Sequence, residues 1–141
     1  MDLELPSIEF TPWTPWPNRE GLFCAAHSGV YALLKSETVP MPGPADSLAH
    51  EVVYIGETGG RLDYRWWAFA KSAFEAKFGH SGGWNYRDKF GDNDNGQRLF
   101  VAAMSIDLPA PLGTIFRLYV ERKLLLDFTM KHGRPPLCNK K

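Results

Sequence analysis

A chain of 141 residues, 44% apolar and 23% charged, has the size and balance of one ordinary globular domain able to bury its own core. No apolar run approaches the ~18 residues a membrane helix needs, and two cysteines, Cys24 and Cys138, are too few for a disulfide scaffold and are expected as reduced thiols. Net charge is zero but unevenly spread: residues 1–60 carry two basic and eight acidic side chains, net −6, and residues 61–141 carry fourteen and eight, net +6, which points an anionic partner at the second half or describes two solvated surfaces.

In chain order, the acidic start Met1-Asp2-Leu3-Glu4 soon meets Pro6 and lacks the pattern of a secretory signal, so a cytoplasmic protein is expected. Residues 1–27 read as an arm packed on the domain by Trp13 and Trp16, because Pro6, Pro12, Pro15 and Pro17 exclude a helix. A strand follows at 29–35 (GVYALLK), then a Pro/Gly loop at 40–47, then a strand at 51–56 (EVVYIG), the two strands forming an antiparallel hairpin. After Gly59-Gly60, residues 62–78 carry Leu62, Trp66, Phe69, Ala70 and Ala73 at helical spacing. Residues 79–96 read as a polar loop, 98–106 (RLFVAAMSI) as a third strand, and 114–132 as a long helix stopped by Gly133 and Pro135-Pro136. With no repeat and no second domain, the expected fold is α+β over residues 28–141: a small three-stranded antiparallel sheet flanked by helices.

Three placements on this map carry chemistry. Tyr31 and Tyr54 lie on the two hairpin strands, with Gly29 two before one and Gly56 two after the other; glycine there marks close approach of a ligand or another backbone, although tyrosine is also simply a good strand residue. On the first helix, Arg61, Arg65, Ala68 and Ser72 share a polar face with small residues, where a guanidinium can grip two phosphate oxygens or merely face solvent. Glu121 on the second helix has Leu118, Leu124 and Leu125 as neighbours, a costly setting for a carboxylate unless it holds a metal or pairs with Arg117 at i−4.

Together these residues resemble the signature set of the GIY-YIG nuclease family. The two tripeptides are Gly29-Val30-Tyr31 and Tyr54-Ile55-Gly56; Leu62 and Arg65 in the run YIGETGGRLDYRWWAF match the leucine and arginine of the first helix with one residue inserted, and Arg61 is a second candidate for that arginine. LYVERKLLL places Glu121 at the metal-binding glutamate, and Asn139 falls at the late asparagine, so the resemblance runs from Gly29 to Asn139. Two departures stand out: 22 residues (Ala32–Val53) separate the tripeptides, a long interval, and Phe69 stands where many members carry histidine or tyrosine, leaving His80 or Lys71 to supply that group.

The resemblance implies an endonuclease that hydrolyses DNA phosphodiesters. It implies Tyr31 as general base, Arg65 as phosphate clamp and neighbour lowering the phenol pKa, Tyr54 positioning water or phosphate, Glu121 holding one Mg²⁺ or Mn²⁺, and Asn139 fixing the geometry. Arg61, Lys71, Arg87 and Lys89 are candidate DNA-binding residues; the last two lie in the 79–96 segment with His80, Trp84, Asn85 and Tyr86, where aromatics alternate with basic groups. With no separate DNA-reading module, specificity would come from the loops at 36–50 and 79–96, from a homodimer or from a partner protein. The competing readings are a catalytically silent nucleic-acid-binding module, a nuclease for RNA or branched DNA, and a structural interaction domain with Glu121 salt-paired and Tyr31 buried. Cys24-x-x-His27 with Cys138, His80 or His132 is a weak zinc pattern, because no second close pair completes it.

Overall fold

The computed structural model of the chain describes residues 4–140, so residues 1–3 of the arm and 141 of the domain lie outside it. The sheet has four strands, β1 (Thr14–Pro15), β2 (Gly29–Lys35), β3 (Val52–Thr58) and β4 (Leu99–Ser105), in the order β1-β4-β2-β3 and antiparallel throughout. The helices are α1 (Leu62–Glu75), α2 (Ser81–Phe90) and α3 (Leu112–His132). The α+β class is as expected, but a fourth strand is added by the arm, where Thr14 and Pro15 pair with Val101 and Phe100. Proline is tolerated there because β1 is an edge strand.

The arm departs from expectation in a second way: residues Trp16–Gly21 form a 3₁₀ helix. Pro17 sits in its first turn, where its missing N–H costs nothing, and Trp16 turns inward against Phe69 and Phe74. Arm and sheet are further joined where the Thr11 N–H donates to the Ala103 carbonyl and the Ala103 N–H to Thr11 Oγ1.

Alternation along β2 gives the sheet two buried faces. Tyr31 and Leu33 point to one side, where they pack with Leu62, Trp66 and Phe69 of α1 and Tyr86 of α2. Val30, Ala32 and Leu34 point to the other, against Phe116, Val120, Leu124 and Phe128 of α3, a stripe at four-residue spacing. No helix is long and apolar enough to cross a membrane among the described residues.

The largest correction concerns the segment read as a polar loop at 79–96, whose first half is helix α2. Ser-Gly-Gly-Trp-Asn is a poor helix former. Tertiary contact overrides it: His80 is the N-cap and its ring accepts the Gly83 N–H, while the two glycines allow closer packing than any side chain would. A Cβ on Gly83 would stand 2.6 Å from the Phe69 carbonyl oxygen, and one on Gly82 2.5 Å from the Tyr54 ring. The free edge of β3 is covered by the C-terminal segment: the Cys138 N–H donates to the Val53 carbonyl, and the Asn139 side chain accepts from the Ile55 N–H and donates to the Ile55 carbonyl, both at 2.9 Å.

Candidate functional site

The hairpin register sets the two tyrosines side by side. Tyr31 faces Gly56 across the ladder and Tyr54 faces Leu33, so both rings occupy the α1/α2 face, with centroids 5.9 Å apart. A Cβ on Gly56 would lie 2.6 Å from the Tyr54 ring and 2.9 Å from the Tyr31 phenol. Glycine is therefore required there for the rings to meet. Gly29 has a different reason, since its Cβ would fall 2.0 Å from the Met104 carbonyl oxygen of β4.

His80 enters from the start of α2 and bonds Tyr31 directly, Nε2 to Oη at 2.8 Å. Its backbone N–H donates to Ser72 Oγ and its ring packs against Phe69 at 5.4 Å and Tyr54 at 5.3 Å. The hydrogen-bond network assigns the tautomer. Nδ1 accepts the Gly83 N–H at 3.2 Å, so the proton of the neutral ring is on Nε2 and is donated to Tyr31 Oη. Burial, reinforced by the Arg65 charge, lowers the His80 pKa to about 3, so the ring is neutral near pH 7. His80 thus fixes the phenol without accepting its proton.

Burial raises the pKa of Tyr31 well above the ordinary phenol value and also raises that of Tyr54, and in both cases the Arg65 charge opposes the shift. Both are neutral phenols at neutral pH. They differ in access: Tyr31 has no exposed surface, whereas Tyr54 lines a cleft of about 580 Å³ at the β3 edge. The same cleft is bordered by Trp84 of α2, by Glu121 and Arg122 of α3 and by Asn139 and Lys140 of the C-terminal segment.

Glu121 is half-buried, and its pKa is raised by burial and then by the neighbouring Glu57. The expected alternative, a pair with Arg117, does not form. Arg117 Nε bonds Glu57 at 3.0 Å instead, and among the described residues Glu121 has no basic group within ion-pair distance. Arg65 likewise forms no ion pair among the described residues, yet its charge acts on Tyr31, Tyr54, His80 and Glu121. Of the six residues singled out as catalytic, Tyr54, Glu121 and Asn139 line the cleft, Tyr31 and His80 lie behind Tyr54 in direct contact with each other, and Arg65 acts on this group by its charge. Asn139 is engaged at both side-chain ends by Ile55, a geometric task.

The four candidate DNA-binding residues are not gathered with them, and none lines the cleft. Arg61 is bound to Asp63 through two bonds of 3.0 and 2.7 Å, Lys71 pairs with Glu75, Arg87 turns to the Ala73 carbonyl and Asp92, and Lys89 is an exposed residue of α2. Of the two groups offered in place of Phe69, Lys71 is paired with Glu75 on α1, and His80 bonds Tyr31. Ser72, expected on a polar helix face, is fully buried and receives the His80 N–H. The zinc pattern does not assemble: no three metal-ligating side chains come together among the described residues, and His132 is occupied with the Leu48 carbonyl. Sequence reasoning missed Arg122 and Lys140 on the cleft wall; Arg122, directly after Glu121 on α3, carried the only local signal. Compared with known proteins, the chain matches no family, no curated protein and no solved structure.

Proposed function

We propose that the chain is a metal-dependent endonuclease of the GIY-YIG type that hydrolyses DNA phosphodiester bonds at the β3 edge. The observation that carries this reading is Glu121: a half-buried carboxylate without an ion-pair partner among the described residues, opening on the cleft that Tyr54 lines, with an equally unpaired Arg65 nearby. A charge kept in such a setting without compensation suits a ligand that arrives with the opposite charge.

The residues fit a hard divalent cation. One carboxylate is a sufficient protein anchor for Mg²⁺ or Mn²⁺, which keep much of their water and share the rest of their ligands with substrate phosphate. Glu121 would hold the ion, which when bound supplies positive charge against the scissile phosphate and the departing 3′ oxygen. Arg65 binds the phosphate. Tyr54, at the cleft, orients the attacking water. Tyr31, pinned by His80 and without surface on the cleft, is the base, drawing the water's proton by way of the adjoining Tyr54 phenol; because burial keeps it protonated at rest and His80 Nε2 already carries a proton, it works only after losing its own by the same route. Cleavage is therefore expected to rise by up to about tenfold per pH unit above neutrality.

A second reading, a nucleic-acid-binding module without catalysis, is favoured by the complete burial of Tyr31. The deciding experiment is nicking of supercoiled plasmid with Mg²⁺, beside an EDTA control and Glu121→Gln. Loss of cutting in both controls supports the nuclease; cutting that survives Glu121→Gln sinks the site; DNA binding with no cutting at any pH selects the silent module.

A further inference from the structure

The cleft, about 580 Å³, is far larger than a phosphate and one metal ion require, and the Trp84 indole lines it together with Glu121. Trp84 is 41% exposed although it stands in the first turn of a helix whose other aromatics turn inward, Tyr86 fully buried and Phe90 partly so. The backbone that carries it is firmly seated. Gly82 and Gly83 seat the start of α2 against Tyr54 and Phe69 with no room for a side chain, and Asn85 Nδ2 donates to the Cys138 carbonyl at 2.9 Å, tying α2 to the C-terminal segment. An exposed aromatic plane on a fixed mount loses little entropy when something stacks on it. Arg122 and Lys140 border the same space and bring positive charge to it.

We infer that this cleft receives one unpaired nucleobase of a DNA strand, stacked on the Trp84 indole, from the nucleotide next to the phosphate at Glu121. Base–aromatic stacking is tolerant of sequence, and a base inside a regular duplex cannot reach such a plane without leaving its partner. The inference rests on the nuclease reading of the same cleft and narrows its substrate to DNA that is single-stranded or locally unpaired. Arg122 and Lys140 then track the backbone on either side of the base.

The test is binding of the full chain to a labelled single-stranded oligonucleotide in EDTA, where no cutting occurs, using wild type, Trp84→Ala and Trp84→Phe. Trp84→Ala is expected to weaken binding about tenfold or more, and Trp84→Phe to keep most of the affinity. An oligonucleotide with abasic positions should bind wild type as weakly as Trp84→Ala and lose nothing further in the variant. Equal binding by wild type and Trp84→Ala, or an undiminished loss on the abasic strand, overturns the inference. A chain that cuts duplex plasmid, with Trp84→Ala as competent as wild type and no preference for unpaired DNA, overturns it while leaving the nuclease standing. Base-dependent binding through Trp84 in a chain that cuts nothing does the reverse.

Discussion

Two fully buried tyrosines sit on the same face of the sheet, and their surroundings differ in one respect that matters. Tyr86 belongs to a closed network: its hydroxyl donates to Asp94 at 2.8 Å and accepts from Lys35 at 3.0 Å, Lys35 pairs with Asp94, and Asp94 also receives the Gly96 N–H. Each charge meets its opposite inside the protein. Around Tyr31 the charges are present but held apart. His80 donates to the phenol, Glu57 is spent on Arg117, and Arg65 and Glu121 lie near enough to influence each other without forming an ion pair. A closed network stabilises the fold, and an open one keeps its charges for a ligand at some cost in stability.

The contrast breaks most plainly at Glu121. Glu121→Gln is expected to lower cleavage on the order of a thousandfold, because it removes the proposed metal anchor. The same change removes a half-buried carboxylate already crowded by Glu57, so the thermal midpoint should hold or rise. Nicking assays and melting curves on one preparation read both quantities, and a large loss of stability would mean that Glu121 is structural.

The tyrosines come next. Tyr54→Phe and Tyr31→Phe are each expected to lower cleavage about a hundredfold. Only Tyr31→Phe should also destabilise, by about 1 kcal/mol, since it leaves the His80 Nε2–H buried without an acceptor. If Tyr54→Phe were inactive and Tyr31→Phe fully active, the base would be the tyrosine at the cleft. The closed network predicts the opposite signature: Lys35→Met strands Asp94 and should cost about 2 kcal/mol by denaturant titration, while the nicking rate of the folded chain should not change.

This division was half legible in the chain. Regular periodicity placed β2, the start of α1 and most of α3 closely, because their apolar spacing is also their packing. The glycines flanking the tyrosines were readable as close approach, and the register explains Gly56 through the two rings it admits. Helix α2 was not readable. Gly82 and Gly83 signal a loop to any local rule, yet they are there because Tyr54, Phe69 and Ser72 press against the helix. With α2 read as loop, His80 had no fixed position, and Trp84 could not be assigned to a cleft formed with α3. Ion pairs were equally opaque: i, i+4 spacing offered Arg117 to Glu121, while the fold gave Arg117 a strand partner 60 residues away in sequence, Glu57.

His80 offers the finest test of how the open site is maintained. In the unfolded chain an ordinary histidine gains its proton near pH 6.5, but in the fold burial and Arg65 defer this to about 3. Between those values the unfolded state binds more protons. Stability is therefore complete above pH 6.5 and falls as pH drops toward 3, with a slope approaching about 1.4 kcal/mol per pH unit. Asp94 cannot produce this loss, because its pKa is held below the usual carboxylate value by Lys35 and the Gly96 N–H against the opposing effect of burial, so its contribution fails only in stronger acid. His80→Gln keeps a donor for Tyr31 and an acceptor for the Gly83 N–H but cannot titrate. Its stability, followed by urea unfolding from pH 7 to 4, should fall more gently than that of wild type. Parallel curves would mean that His80 takes a proton in the folded state, and would return it to the list of groups able to exchange one with Tyr31.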